Sequence, residues 1–140
     1  KYLAKISGPL LDRIDIHIEV PAVRFKELTS NAKTENSSAI RERVVEARKA
    51  QLERFKNTSG IFSNSDMGTK EVKKFCVLDN KSLELLKMAM TRFSLSARAF
   101  DRILKLSRTI ADLDNEKEIL VQHISEAIQY RSLDREYWGR

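Results

Sequence analysis

Glycine, cysteine and histidine are scarce in this sequence of 140 residues, with four glycines, one cysteine and two histidines. The glycines stand far apart, at Gly8, Gly60, Gly68 and Gly139, so the chain has no Gly-rich phosphate loop. It therefore lacks the converging backbone N–H groups with which a nucleotide-hydrolysing site cradles phosphate. The lone Cys76 excludes an internal disulfide and fits a reducing, cytoplasmic setting. Following Phe75 at a predicted helix end, it reads as a packed thiol rather than a nucleophile. His17 and His123 stand far apart and neither makes a close Cys/His pair, so no metal site is expected. No apolar run approaches the ~18 residues of a membrane span, and no signal-peptide core follows Lys1. The absence of an initiator Met suggests a piece of a longer chain.

What is present is ordinary for a soluble globular domain: 41% apolar and 33% charged residues. The net charge of +6 is spread thinly. Nucleic-acid modules usually concentrate such an excess into a stripe. Arg41, Arg43, Arg48, Lys49, Arg54 and Lys56 are interleaved with Glu42, Glu46 and Glu53 and read as a solvated helix face.

Residues 14–20, Ile-Asp-Ile-His-Ile-Glu-Val, alternate apolar and polar, the period-2 pattern of a half-buried strand. Pro21 ends it. No second strand is evident, and a lone strand is not stable. Residues 1–35 are therefore expected to be partly disordered or paired with another copy, their sheet being absent. Residues 22–37 read as a linker. A helix over 38–56, capped by Asn36 or Ser37, would bury Ile40, Val44, Ala47, Leu52 and Phe55. Residues 57–66 form a turn-rich loop.

A short helix over 69–76 would bury Val72 and Phe75. Asp79 caps the next, with Leu78 and Leu83 as a hydrophobic staple and Leu83, Leu86, Met90 and Phe93 as its stripe. Ser96 caps another, with Ala99, Ile103, Leu106, Ile110 and Leu113 inward and Arg98, Arg102, Lys105 and Arg108 toward solvent. A last helix over 121–131 buries Ile124, Ala127 and Ile128. The fold class is mainly α: a small helical bundle preceded by one β-strand. The final Tyr-Trp-Gly-Arg reads as a disordered tail or one that docks on a neighbour.

Two segments carry chemistry. In Lys5-Ile6-Ser7-Gly8-Pro9-Leu10-Leu11-Asp12-Arg13-Ile14-Asp15-Ile16 an arginine stands at the entry to the strand. In Leu95-Ser96-Ala97-Arg98-Ala99-Phe100-Asp101-Arg102 an arginine stands in a first helical turn, against the macrodipole. From the residues alone, the plainer reading of Arg13 is a pairing with Asp12, Asp15 or another carboxylate. The plainer reading of Arg98 is a solvated charge.

Together with SSAIRERVVEARKAQLERF, FCVLDNKSLELL and HISEAIQYRSLDR, these segments resemble the magnesium-chelatase-like AAA+ ATPases in their YifB/ComM branch, over nearly the whole chain. The first segment is also similar to the corresponding stretch of minichromosome maintenance helicases. The resemblance implies that residues 1–21 end an AAA+ α/β core and that 38–140 form its helical C-terminal lid, joined by the linker at 22–37. Walker A and B motifs would lie before Lys1. It implies Arg13 as an arginine finger acting in a neighbouring subunit and Arg98 as the sensor-2 arginine contacting ATP phosphate. A guanidinium fork suits both roles, because it matches γ-phosphate oxygens and stays protonated.

ATP and Mg2+ would serve the full-length parent, with none expected on the fragment, which is not expected to be an enzyme alone. The partners implied are the rest of the core, neighbouring subunits of a homo-oligomeric ring and, for competence-linked members, DNA. No membrane partner is implied. Two other classes stay open on residues alone: an independent basic helical nucleic-acid-binding module, and a protein-interaction bundle. The unpaired strand and the two arginine motifs speak against the last.

Overall fold

The computed structural model describes residues 7–11, 13–22 and 35–131. Expectations for residues 1–6, 12, 23–34 and 132–140, including most of the linker and the C-terminal tail, lie outside the described residues. A single helical turn at Gly8–Leu11 is followed, after the linker, by five helices: α1 (Ser37–Phe55), α2 (Thr69–Phe75), α3 (Asn80–Arg92), α4 (Ala97–Leu113) and α5 (Val121–Gln129). A 3-10 turn at Asn64–Asp66 lies between α1 and α2.

The helix starts are set by local chemistry. Asn36 accepts from the Ala39 amide at 2.9 Å, Asp79 from Ser82 at 2.8 Å and Ser96 from Ala99 at 3.1 Å. Each satisfies an amide that the first helical turn leaves without a partner. His123 does the same for α5, its Nδ1 accepting from the Leu120 amide at 3.0 Å. That bond assigns the neutral ring's proton to Nε2, which faces Asp114 at 3.3 Å.

Two helix ends share one device. After α4, Asn115 takes φ 62°, the Asn115 amide donates to Asp112 O at 3.2 Å and the Glu116 amide to Ala111 O at 2.8 Å. After α3, Ser94 takes φ 48° and the Leu95 amide donates to Met90 O at 3.1 Å. This is the Schellman arrangement, built here without glycine.

The central element is α4, which packs on α1, α2, α5 and the 3-10 turn, while α3 packs on α5. Leu86, Ile103, Ala111, Ile124 and Ala127 are sealed from solvent. Phe55 and Phe75 meet edge to face with centroids 5.4 Å apart, joining α1 to α2. A parallel bridge between Leu78 and Ile119 ties the α2–α3 connection to the α4–α5 connection.

Several expectations change. Residues 14–20 form no strand, and among the described residues there is no sheet. The physical reason is the one already given, that a strand needs a partner ladder. Yet this segment is not detached: the His17 amide donates to Tyr130 O at 2.7 Å, and Arg131 donates to Ile14 O. Within it the polar His17 turns inward at 5% exposed, whereas Ile18 and Val20 are 69% and 84% exposed. That reverses the expected sidedness.

In α1 the inward set is Ala47, Gln51 and Phe55, while Ile40, Val44 and Leu52 are exposed. Among the described residues, the first half of the helix packs against no other helix. Leu83 and Leu113 are also exposed.

The largest departure is polar. Arg108, expected in solvent, is buried, and Arg54 is nearly so. Both bind the buried carboxylate of Asp112. Arg54 NH1 reaches Oδ2 at 2.8 Å and its NH2 pairs with Oδ1; Arg108 Nε reaches Oδ1 at 3.1 Å. Asn64 Nδ2 adds a bond to Oδ2 at 2.8 Å. Arg108 also donates to Lys117 O at 2.8 Å and Glu116 O at 2.6 Å, carbonyls presented by the turn after α4. Burial pulls the Arg108 guanidinium below its ordinary pKa, and Asp112 opposes the shift.

Removing one partner from such a cluster strands the others in low dielectric. Asp112→Ala is accordingly expected to cost roughly 3–5 kcal/mol in urea unfolding of the chain. A midpoint within error of the parent chain would show that the cluster does not hold α1 to α4. The pH dependence has a simpler local source. The hydrogen bonds from Ser82 hold the exposed Asp79 carboxyl below its ordinary range. Its contribution is complete above the unfolded carboxylate pKa and is lost as pH falls through the depressed one. Asp79→Asn keeps a capping oxygen but cannot titrate, so its stability curve should lose part of the acid slope while holding neutral stability. An identical acid limb would show that the cap does not titrate as described.

Candidate functional site

Arg98, Arg102, Lys105 and Thr109 recur at four- and three-residue steps, which puts them on one face of α4. This face is the one that α1, α2 and α5 leave open. It forms one wall of a cavity of about 520 Å³ lined also by Asp15, Ile16, Ser65, Asp101 and Leu106. Three cations thus converge on a pocket whose other wall comes from the segment just after Arg13.

The contacts inside it are specific. Arg102 NH1 forms an ion pair with Asp15, and the Arg102 side chain is largely covered. Lys105 Nζ donates to Ser65 O at 3.0 Å, which fastens the 3-10 turn to α4. Thr109 Oγ1 donates to Lys105 O at 3.0 Å and accepts from Asn64 Nδ2 at 3.0 Å. Asn64 also binds Asp112, so the floor of the pocket continues into the buried cluster.

Arg13 is exposed, and its NH1 reaches Pro9 O at 3.4 Å in the helical turn before it. Asp15, which could have been its partner, is instead held by Arg102. Arg98 is exposed at the lip of the cavity. The structure brings the Arg13 segment and the Arg98 helix to one place, joined by Asp15. Arg102 and Lys105, read from sequence as solvated charges, belong to this pocket. The signal that could have found them was their spacing from Arg98, which the helix turns into a single row.

Cys76 has no part in it. Burial is the main cause that pushes its thiol up to about 11, with Arg108 and Arg54 pulling the other way. Among the described residues no group of three His, Cys, Asp or Glu side chains is placed to hold a metal ion. No helix among them is long and apolar enough to cross a membrane.

Residues 34–131 match the C-terminal family of the magnesium chelatase subunit ChlI, and residues 1–28 match the magnesium chelatase subunit ChlI family. The chain belongs to the magnesium chelatase family, in its ChlI C-terminal region. Competence protein ComM of Haemophilus influenzae is 40% identical over 136 residues, covering 96% of this chain and 26% of ComM. YifB of Salmonella typhimurium is 37% identical and YifB of Escherichia coli 36%, each over the same shares. The chain therefore spans about a quarter of the length of these relatives.

The buried thiol should be protonated throughout the neutral range. A thiol reagent such as DTNB is expected to leave Cys76 unmodified in the folded chain at neutral pH and to modify it fully in urea. Fast labelling of the folded chain would contradict its place in the core.

Proposed function

We propose that this chain is the lid-bearing portion of a magnesium-chelatase-like AAA+ ATPase, whose parent binds ATP and works as a ring. The observation that carries the reading is the cavity in which Arg98, Arg102 and Lys105 meet the segment that follows Arg13. Arg98 at its lip suits a phosphate group, Arg102 being held by Asp15 and Lys105 by Ser65 O, and the chain supplies no phosphate loop of its own, so the nucleotide would be cradled by residues outside it. Mg2+ would be held there with the phosphates and would neutralise charge during transfer. Residues 1–21 would close the α/β core, 22–37 would link, and 38–140 would form the lid. The exposed Ile14, Ile16, Ile18 and Val20 would then lie against that core, in keeping with the chain's quarter share of its relatives.

Within this reading Arg98 contacts the phosphates of its own subunit, and Arg13 reaches the nucleotide of a neighbour. Arg13 is suited to that task by its exposure, and Asp15 of its segment is engaged by Arg102. Hydrolysis in the parent would turn the lid and remodel a partner. The competence name of the Haemophilus relative makes DNA the partner to test first.

The alternative, an independent nucleic-acid module, has less support. The cations of α1 are largely neutralised by Arg43–Glu35, Lys49–Glu46 and Lys56–Glu53 pairs and by the burial of Arg54. Binding to DNA by this chain with a steep salt dependence would favour it.

In the full-length protein, Arg13→Ala is expected to lower kcat by roughly 10³–10⁵ while nucleotide still binds. Arg98→Ala should instead weaken ATP binding, seen as a raised KM. Unchanged turnover of Arg13→Ala in the assembled ring would remove the finger assignment.

A further inference from the structure

The segment after Arg13 is fixed to the bundle at three points, all polar. Asp15 pairs with Arg102 of α4, the His17 amide donates to Tyr130 O at 2.7 Å, and Arg131 donates to Ile14 O. Only the first of these joins the segment to the helix that carries Arg98. Arg102 lies one helical turn beyond Arg98, and Asp15 lies two residues beyond Arg13. Ile18 and Val20 remain exposed, so these contacts leave that end of the segment able to rest against a core.

We propose that Asp15 and Arg102 form a latch that positions Arg13 from α4, so the arginine offered to a neighbouring site is set by the helix that meets the subunit's own nucleotide. This rests on the reading of Arg13 and Arg98 given above. The pair's value is geometric. Asp15 is well exposed, and an exposed pair adds about 0–1 kcal/mol of stability. An arginine that must meet developing charge in a transition state is far more sensitive, since a misplacement of about 1 Å can cost 100-fold in rate. Breaking the latch should therefore separate rate from stability. It should also separate kcat from KM, because Arg98 itself is untouched.

The test is a double-mutant cycle on the full-length protein with Asp15→Asn, Arg102→Gln and the double variant, beside Arg13→Ala. The expected result is a fall in kcat of about ten- to hundredfold for each single variant, with the ATP KM and the urea midpoint near the parent values. The double variant should be no slower than the slower single one, because both changes remove the same contact. Arg102→Lys, which keeps the charge, should recover part of the rate and guards against a Gln variant that fails to fold.

If Arg13→Ala turns over ATP at the parent rate, the finger reading falls and takes the latch with it. If Arg13→Ala is inactive while Asp15→Asn and Arg102→Gln keep the parent kcat, the latch alone is wrong. Rate losses that multiply in the double variant would show that the two residues act separately, and would overturn it too. A raised KM with unchanged kcat for Arg102→Gln would make Arg102 a nucleotide contact instead, with the same consequence.

Discussion

The bundle depends on one buried carboxylate. Asp112 takes hydrogen bonds from Arg54, Arg108 and Asn64, which belong to three different elements. Two guanidinium groups beside one carboxylate leave an excess positive charge inside the fold, and desolvation alone would make such a cluster costly. The cost is offset because almost every remaining donor has an acceptor. Arg108 reaches the carbonyls of Glu116 and Lys117, Arg54 reaches Asn64 Oδ1 at 2.9 Å, and Asn64 also donates to Thr109. The turn after α4 is therefore not only a helix stop. Its left-handed Asn115 directs two carbonyls back toward Arg108, and without that turn the second arginine would lack acceptors.

The cluster also backs the open face of α4. Thr109 and Lys105 lie on that face, and both connect to the 3-10 turn, through Asn64 and Ser65. The same turn donates to Asp112. The row of cations is thus mounted on a helix fixed on several sides and backed by a hydrogen-bonded floor. Side chains held this way keep their directions at lower entropic cost when a charged ligand arrives.

The helices were legible from sequence because their signals are local. Asn36, Asp79 and Ser96 announce their caps, and the spacing of Ala99, Ile103 and Ile110 gives the inward face of α4. What was not legible depended on which faces have neighbours. A periodic stripe says that a helix can bury a face, not that something is there to cover it. Ile40 and Val44 fit the stripe of α1 and are exposed, because among the described residues no element lies opposite them. Arg54 looked like solvated charge for the complementary reason: its partner Asp112 is 58 residues away, beyond any helical spacing, while Arg108, four residues from Asp112, is buried by the turn and helix that cover it. The segment at 14–20 shows both effects at once. Its alternation was read as a half-buried strand, but no strand forms, and what meets the bundle is polar, through Asp15 and His17.

That inversion bears on how the chain could work within a larger protein. A segment whose apolar residues docked on the bundle would have to choose between the bundle and a core sheet, since one face cannot be buried twice. Here Asp15 and the His17 amide join the segment to α4 and the end of α5, and Ile18 and Val20 stay exposed. Arg13 precedes this junction directly, and Arg98 begins the helix that receives it. The junction's tethers to the bundle are directional hydrogen bonds and an ion pair rather than a slippery apolar contact.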